Sequence, residues 1–424
     1  MKHITRRSAL GGLVAGAAGA AGAVLLDRGG RHRPQQFPAR LLSATLGVKN
    51  WPFWQHFDSR PISQATIDLE APRRSWIAFN AWEGHYVPAF RAAGASNPHL
   101  KLYVYKDFSS TRSFDPGPSG ETSGALLYSW ASAGHPDWFL TRNGSRIQWQ
   151  GFPGTYAMNI GNSAYQQACL NAIVSDVRKN GWDGVYLDNI LYSLSQYSVA
   201  PCDQYPSDSA FQAAYQSAIG LICQGITAAG YKVMGNMAGI RVVPGLWDSY
   251  VNAGLAGGFD QYFVCFSDSS GVPDYGTPPQ GFIAQVNEVK YLKHGSRPFL
   301  PGGFQSQSTT STQSFRYAFA GWLLGVSSEA FFAENAGEGP PPRWRPEYDW
   351  NFGWFTGPYQ TLQKSVYERT FTDGMALVNA NASGSTITVS LANPYGTVYQ
   401  DQDGVSRTSV SLPPKTGLAL RKVR

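Results

Sequence analysis

The feature that most constrains this chain is an alternation of short apolar runs with longer stretches that can each form a helix. Eight runs have the length and composition of buried β-strands. They are Trp76–Asn80, Leu102–Tyr105, Tyr156–Ile160, Gly184–Leu187, Lys232–Gly235, Gln261–Phe266, Pro298–Pro301 and Ala330–Ala333. Strands that alternate with helices are parallel, and eight such units predict a closed barrel.

Three of the intervening stretches have clear helical periodicity: Ala164–Arg178, Phe211–Ala229 and Phe315–Leu324. The predicted fold class is therefore α/β, with a (β/α)₈ TIM barrel over residues 41–365. An open doubly wound sheet is the architectural alternative. The first predicted strand is not followed by a glycine-rich phosphate loop, which counts against a nucleotide-binding sheet of that kind.

The character of the sequence changes near Thr370, where Val, Thr, Ser and Gly become frequent and helical periodicity is lost. Short strands are predicted at Ser385–Leu391, Gly396–Tyr399, Ser406–Ser411 and Gly417–Leu420. Residues 366–424 are therefore expected to form a small antiparallel β-sandwich domain. A domain of this size usually needs a neighbour for stability, so we expect it to support the barrel. A glycan-binding accessory role stays open.

The amino terminus has the pattern of an export signal. Arg6 and Arg7 precede an apolar run that is rich in Gly and Ala and ends at Leu26. The arginine pair is typical of the twin-arginine route, and Ala21–Ala23 offers a cleavage site. The run is too short and too glycine-rich for a confident membrane span. We expect 1–26 to be a signal segment and 27–40 a linker, with the mature protein extracellular or cell-wall associated.

Composition excludes several classes of function. Three of the 34 basic side chains lie in the signal, which leaves 31 basic against 28 acidic side chains in the mature chain. This small excess of positive charge does not predict nucleic-acid binding. The four cysteines and seven histidines lack metal-ligand spacing, and no G-x-S-x-G follows a strand. We expect a monomer that needs no metal or cofactor. Aromatic residues reach 14%, which suits stacking on sugars as well as core packing.

The most informative segment is Trp182–Asn189, where a short apolar run ends in Asp188 and an amide. Barrel enzymes carry their chemistry at the carboxyl ends of the strands, so this end of the fourth predicted strand is a candidate active site. The alternative is that Asp188 only caps the following helix. Asp183 stands at the opposite end of the same strand and is expected to hold a turn.

Several segments resemble a family of secreted glycosyl hydrolases with a (β/α)₈ barrel and a small C-terminal β-sandwich. The family is similar to polygalactosaminidase-type and α-galactosidase-type barrels. The resemblance is carried by Trp182–Asn189, Leu102–Asp107, Glu347–Gly353, Phe371–Asn379 and Ser411–Pro414, and it covers most of the mature chain. It implies cleavage of glycosidic bonds, with a carboxylate at the tip of strand four acting as nucleophile or base.

Glycoside hydrolysis uses a pair of carboxyl groups that face one bond. The end of the last predicted strand, Ala330–Asn335, repeats the order of apolar run, acid and amide, which makes Glu334 the predicted partner of Asp188. The resemblance instead leads to an acid on strand six. Aligning that strand with Trp182–Asn189 places Cys265 where Asp188 stands, and Asp268 is the nearest substitute.

Other polar residues at predicted strand ends are expected to contact a polysaccharide or oligosaccharide substrate. These substrate-binding candidates are Glu83, Tyr105, Asp107, Asn159, Asn189, Asn236 and Asp268. Glu83 and Asp107 have the alternative of capping a helix. Two functions stay open: an exported glycosidase acting on a cell-wall or extracellular polysaccharide, and a non-catalytic glycan-binding barrel. Two carboxyl groups within about 5–10 Å of each other in one pocket would favour the enzyme.

Overall fold

Eight parallel strands close into a barrel within the described residues. The computed structural model describes residues 52–58, 60–115, 121–197, 201–261, 263–267, 270–271, 281–290, 303–306, 312–326, 330–334, 339–354, 356–391 and 396–423. The barrel strands are β1 (Pro52–His56), β2 (Trp76–Phe79), β3 (Lys101–Lys106), β4 (Gly184–Leu187), β5 (Lys232–Asn236), β6 (Gly257–Gln261), β7 (Gly303–Ser306) and β8 (Phe331–Glu334). The predicted (β/α)₈ barrel is confirmed.

Each barrel strand pairs with the next one along the chain, and the first and last strands pair with each other. Phe53 of β1 lies opposite Trp76 of β2 on one side and opposite Ala333 of β8 on the other. All eight pairings are parallel. The carboxyl ends of the strands therefore meet at one end of the barrel, which we call the mouth.

Helices follow most of the strands and lie outside them. They are α1 (Gln64–Glu70), α2 (Val87–Ala93), α3 (Tyr128–Gly134), α4 (Ser163–Asn180), α5 (Asp208–Ala228), α6 (Leu246–Ala253), α7 (Phe282–Lys290) and α8 (Thr312–Gly325). Helix α4 begins where the Asn162 side chain accepts from the N–H groups of Ala164 and Tyr165. It ends at Gly181, which adopts the left-handed conformation with φ of 71°.

Side-chain alternation along the strands decides which residues reach the barrel interior. Large side chains from six of the strands fill the interior: Phe53, Tyr103, Tyr105, Tyr186, Met234, Phe259 and Phe331. The residues next to them in a strand, such as Val185 and Leu187 beside Tyr186, pack outward against the helices. Successive side chains of a strand point to opposite faces. Asp188, two residues after Tyr186, therefore faces inward at the mouth.

Before β4, one barrel strand was not predicted and one predicted barrel strand is absent from the barrel. Strand β1 was not predicted, because Pro52–His56 is short and starts with a proline, which is unusual within a barrel strand. Tyr156–Ile160 is not a barrel strand: Thr155–Ala157 instead pairs antiparallel with Ser110–Arg112 inside the long connection between β3 and β4. These two errors cancel, so Gly184–Leu187 is still the fourth strand.

The sixth strand was predicted too late in the chain. It spans Gly257–Gln261, whereas Cys265–Ser267 forms a separate pair with Ser270–Gly271. The predicted seventh strand, Pro298–Pro301, lies outside the described residues, and β7 is Gly303–Ser306. All four cysteines are buried and none forms a disulfide.

The C-terminal residues form two antiparallel sheets with an apolar core between them. The larger sheet contains, in spatial order, Gln360–Gln363, Val366–Thr370, Gly374–Asn379, Thr416–Val423, Val398–Gln400 and Ser406–Arg407. The smaller sheet pairs Ile387–Ser390 with Ser409–Leu412. Their shared core includes Leu377, Val389 and Leu412. The predicted β-sandwich is confirmed.

The C-terminal sheet packs directly on helix α8. At Gly417 a Cβ atom would lie 2.8 Å from the Cβ of Ala320, so a residue without a side chain is needed for this approach. Arg369 donates to the carbonyls of Leu323, Leu324 and Val326 at the end of α8, with distances of 2.8–3.2 Å. The sheet therefore covers one side of the barrel's last helix, as a supporting role requires.

A membrane-spanning helix requires a long apolar stretch. Within the ranges given above, the chain has no helix that is long and apolar enough to cross a membrane.

Candidate active site

Asp188 lies at the mouth of the barrel, where side chains from three neighbouring strands meet. Its Oδ2 accepts a hydrogen bond of 2.7 Å from the Tyr105 hydroxyl of β3. Its Oδ1 accepts one of 2.8 Å from Asn236 Nδ2 of β5. The residue is 5% exposed. Asp188 therefore bonds across the barrel strands instead of capping the next helix.

Arg112 extends this network beyond the barrel strands. Its Nη2 donates to the Tyr105 hydroxyl oxygen over 2.8 Å, and its guanidinium carbon lies 5.3 Å from the centre of the Tyr105 ring. The side chain is buried although it carries a charge. Arg112 belongs to the short strand Ser110–Arg112, which the pairing with Thr155–Ala157 holds over the mouth. Sequence reasoning missed this residue.

Asp107 is a second carboxylate of the network, and its oxygens are fully engaged. Oδ1 accepts from the backbone N–H and the hydroxyl of Ser109 over 2.9 and 2.7 Å. Oδ2 accepts from the hydroxyl of Ser110 over 2.6 Å and from Asn189 Nδ2 over 2.7 Å. Burial raises the pKa of Asp107, the charge of Arg112 lowers it, and the charge of Asp188 raises it. Asp107 thus anchors the loop that follows β3.

Asn189 fixes the direction in which the chain leaves β4. Its backbone is in the left-handed region, with φ of 56°, a conformation that Asn adopts more readily than most residues. Its carbonyl accepts from the Tyr215 hydroxyl over 3.0 Å, and its side chain reaches Asp107. The loop after β4 is therefore tied to both α5 and the loop after β3.

Asn236 connects Asp188 to the sixth strand. Its Nδ2 donates to Gln261 Oε1 over 2.8 Å as well as to Asp188. Gln261 lies two residues after the inward-facing Phe259, so an amide is at the end of β6 where the resemblance leads one to expect an acid. Cys265 is not the equivalent of Asp188, since it is buried away from the mouth with its Sγ 3.6 Å from the carbonyl of Ser314.

Glu334 lies on the other face of its strand. Phe331 points into the barrel, so Glu334, three residues later, points outward. It forms a buried ion pair with Arg345, with Nε 2.9 Å from Oε2. The Arg345 guanidinium also lies 4.5 Å from the ring centre of Phe315 in α8. Burial raises the pKa of Glu334, and Arg345 opposes that shift. The structure does not bring Glu334 to Asp188.

Glu83 belongs to a polar cluster outside the barrel interior. Its carboxylate lies 2.7 Å from His56 Nδ1 and accepts from the backbone N–H of Asn80, which completes a capping box at the 3₁₀-helix Ala81–Tyr86. Burial raises its pKa to about 7, against the effect of His56. Of the two roles that sequence left open, the structure shows helix capping.

Two further predicted residues are not at the mouth. Asn159 lies in the connection before α4, where its Oδ1 accepts from the Tyr205 hydroxyl over 2.5 Å. Asp268 is outside the described residues. At the opposite end of β4, Asp183 accepts from the N–H of Leu102 and pairs with Arg91, both at 2.7 Å, and so holds the turn as expected.

The structure thus brings five of the predicted site residues together at the mouth, in two hydrogen-bonded groups that Arg112 links through its bond to Tyr105 and its ion pair with Asp107. They are Tyr105, Asp107, Asp188, Asn189 and Asn236. A closed parallel barrel with a carboxylate held among donors at its mouth is the arrangement on which barrel glycosidases build their active sites. The fold and the site together define this class.

The model of the family described as hypothetical glycosyl hydrolase family 15 matches residues 95–375, and the chain belongs to that family. The protein is therefore a glycosidase, and its substrate is a carbohydrate. The matched residues include β3–β8 and every member of the network around Asp188. No curated protein sequence matches the chain.

Three of the solved structures to which the chain is similar are glycoside hydrolases with 10–15% sequence identity. An Anoxybacillus α-amylase has 10% identity and a TM-score of 0.48, with 89% of this chain and 98% of that chain covered. The α-amylase of Malbranchea cinnamomea has 11% identity and a TM-score of 0.48, with 88% and 96% covered. The glycoside hydrolase domain of PelA from Pseudomonas aeruginosa has 15% identity and a TM-score of 0.40, with 72% and 97% covered.

Proposed function

We propose that the protein is an exported glycosidase that cleaves O-glycosidic bonds of a cell-wall or extracellular polysaccharide by a two-carboxylate mechanism. Asp188 is the nucleophile or the base. The observation that carries the proposal is the inward-facing carboxylate of Asp188 after β4, held by donors from β3 and β5. Carboxyl ends of barrel strands are where such enzymes place their reacting groups.

The hydrogen bonds of Asp188 suit a reacting carboxylate. Tyr105 and Asn236 each donate to a different oxygen, which fixes the plane of the carboxyl group. A carboxylate has about four lone-pair directions, so one on each oxygen stays available to an anomeric carbon or a water. Fixed orientation lowers the entropy cost of reaching the transition state.

The proton donor is the second part of the mechanism. Glu334 is paired with Arg345 on the outer face of the barrel, which disfavours it as the partner of Asp188. The proposal therefore assigns the donor to Asp268, outside the described residues, with Asp107 as the alternative. Asp107 has four hydrogen-bond donors on its oxygens, an arrangement that favours a holding role.

Substitution of Asp188 tests the proposal. Wild type, Asp188→Asn and Asp188→Ala are assayed for release of reducing ends from amino-sugar and galactose-containing polysaccharides. We expect both variants to lose at least about 10³-fold in rate while their circular dichroism is unchanged. Asp183→Asn is the matched control, since it removes a charge from the opposite end of the same strand. Full activity in either Asp188 variant would contradict the assignment.

Product stereochemistry and activated substrates separate the roles of the carboxylates. Proton NMR of the sugar that wild type releases is expected to show retained anomeric configuration if Asp188 is the nucleophile, and inverted configuration if Asp188 is the base that activates water. Asp107→Asn and Asp268→Asn identify the donor, since loss of the donor spares activated leaving groups.

A binding assay tests the alternative of a non-catalytic barrel. That alternative predicts saturable oligosaccharide binding by isothermal titration without turnover on any member of the same polysaccharide panel.

Export is tested separately by replacing Arg6 and Arg7 with Lys, which is expected to keep the protein inside the cell. Unchanged secretion of that variant would refute the twin-arginine route.

A further inference from the structure

Arg112 is a buried cation that lies near Asp107 and is connected to Asp188 through the Tyr105 hydroxyl. Its Nη2 is 2.8 Å from the Tyr105 hydroxyl, which donates to Asp188, and 3.9 Å from Asp107 Oδ2. We propose that Arg112 is a positioning residue for Asp188: it directs the Tyr105 proton onto Asp188 and supplies the counter-charge for both carboxylates. This inference rests on the proposed function of Asp188.

The first step of the argument is the direction of the hydrogen bonds. A guanidinium group has donors and no acceptor, so in the contact with Arg112 the Tyr105 oxygen must accept. A phenol has one proton. That proton is therefore free to be donated to Asp188 Oδ2, 2.7 Å away. Arg112 thus decides which way the Tyr105 hydroxyl points, although it does not touch Asp188 itself.

The second step is the balance of charge. Asp107 and Asp188 lie close enough for the charge of Asp188 to act on Asp107, and both are at least 95% buried. The other side chains that donate to them are neutral: Tyr105, Ser109, Ser110, Asn189 and Asn236. Two buried carboxylates without a cation repel each other, and one of them then tends to take up a proton. Among the described members of the network, the cation is Arg112.

A nearby lysine does not take this role. Lys106 precedes Asp107 in β3 and therefore points to the opposite face, where its Nζ lies 2.5 Å from Asp176 of α4. Arg112, in contrast, is held toward the mouth by the register of its strand, in which it lies opposite Thr155. The backbone of the β3–β4 connection thus delivers a cation that the barrel strands themselves do not provide at this point.

The test reads the protonation of the mouth without a substrate. 3-Fluorotyrosine is incorporated at position 105 of the full chain, and the ¹⁹F chemical shift is followed as the pH is changed. In wild type we expect an inflection in the acid range that Asp188→Asn abolishes and Asp107→Asn retains. In Arg112→Met that inflection is expected to move to higher pH by about 1–2 units, the usual effect of losing an adjacent opposite charge.

Arg112→Lys is a second variant that keeps the inference testable if Arg112→Met does not fold. It keeps the charge but not the planar fork of donors, so its inflection is expected to move by less than that of Arg112→Met. Near-ultraviolet circular dichroism confirms that each variant is folded. An inflection that is the same in wild type, Arg112→Met and Arg112→Lys overturns the inference. So does an inflection that survives in Asp188→Asn, because Tyr105 would then not report on Asp188.

The two proposals fail in different ways. If Asp188→Asn keeps full activity, the proposed function fails while the fluorine titration still decides whether Arg112 acts on Asp188. If Asp188→Asn is inactive but the pH of the inflection is the same in wild type and in the Arg112 variants, the proposed function stands and the inference about Arg112 is refuted. A folded Arg112→Met variant with a shifted inflection is also expected to move the acid limb of kcat/KM to higher pH on any aryl glycoside that wild type cleaves.

Discussion

Replacing Glu334 with Gln tests whether the acid at the end of β8 is structural or catalytic. Glu334 and Arg345 are 3% and 4% exposed, and the Arg345 Nε lies 2.9 Å from one carboxylate oxygen and 3.2 Å from the other. A second nitrogen of the guanidinium, Nη2, also contacts the carboxylate, so the pair is bidentate. Gln preserves the shape of the side chain but removes its charge, and leaves Arg345 buried without a counter-ion.

The expected cost follows from this burial. Breaking a buried ion pair by removing one partner costs about 3–5 kcal/mol, because the remaining charge is uncompensated. Two features place Glu334→Gln near about 3 kcal/mol. The Gln carbonyl still accepts one hydrogen bond, and the Phe315 ring still faces the guanidinium at 4.5 Å. Burial raises the pKa of Glu334 against the effect of Arg345, so removing the charge of Glu334 also removes part of its desolvation cost, which favours the lower end of that range.

Urea unfolding measures the change in the free energy of unfolding, and reducing-end release per folded molecule measures catalysis. We expect Glu334→Gln to lose stability at an unchanged m-value while its activity stays within about twofold of wild type. The double variant Glu334→Leu/Arg345→Met is the matched control, because an apolar pair of similar volume is often as stable as a buried ion pair. A stability loss under about 1 kcal/mol together with an activity loss above about 10³-fold would refute the reasoning and make Glu334 catalytic.

Three other perturbations have definite expected outcomes. Burial raises the pKa of Glu83 to about 7 in the fold from its ordinary value of 4.5. The native state therefore binds the extra proton, and wild type loses up to about 3 kcal/mol of stability as the pH rises from 4.5 through 7. Glu83→Gln cannot titrate, and its urea midpoint relative to wild type should rise from pH 4.5 to pH 7; a constant difference would contradict this. Asn236→Asp places a carboxylate against Asp188 Oδ1 and should lower kcat/KM by at least about 10²-fold, with partial recovery at lower pH that Asn236→Leu does not show. Gly417→Val should destabilise by about 1–3 kcal/mol because it collides with α8, whereas Gly220→Ala, which meets only one atom at 3.9 Å, should stabilise α5 by about 0.5–1 kcal/mol; equal effects in thermal melts would argue against the packing described.

Sequence reasoning was reliable where the pattern was local. The alternation of strands and helices predicted the barrel, and Gly184–Leu187 was bounded correctly. Apolar content alone cannot show which partner a strand has, so Tyr156–Ile160 was counted as a barrel strand although Thr155–Ala157 pairs inside a connection. Asp188 kept its place at the fourth strand because the unpredicted β1 offset that error.

The second carboxylate shows where sequence reasoning ends. Parallel barrel strands are apolar on both faces, so Ala330–Ala333 gives no sign of which residues point inward. Glu334 therefore looked equivalent to Asp188. Asp188 follows the inward-facing Tyr186 by two residues and points inward, whereas Glu334 follows the inward-facing Phe331 by three residues and points outward. This difference became visible only when the structure showed which aromatic side chains meet inside the barrel.

Arg112 and Gln261 were missed for a different reason. Arg112 lies in an irregular connection, where no periodicity links it to β3, and only the pairing with Thr155–Ala157 directs it to the mouth. Gln261 was placed at the start of a strand that in fact ends there. Both depend on long-range pairing, which a single sequence does not encode in any local pattern.

The closure of the barrel also has a consequence for how the chain folds as it is synthesised. Strand β1 obtains its second neighbour only when β8 has left the ribosome, and until then its edge is unpaired. Helix α8 is covered only when Thr416–Val423 has also been synthesised. Contacts between such distant parts of a sequence form slowly. The barrel therefore closes late in synthesis, and the edge of β1 stays unpaired until β8 is available.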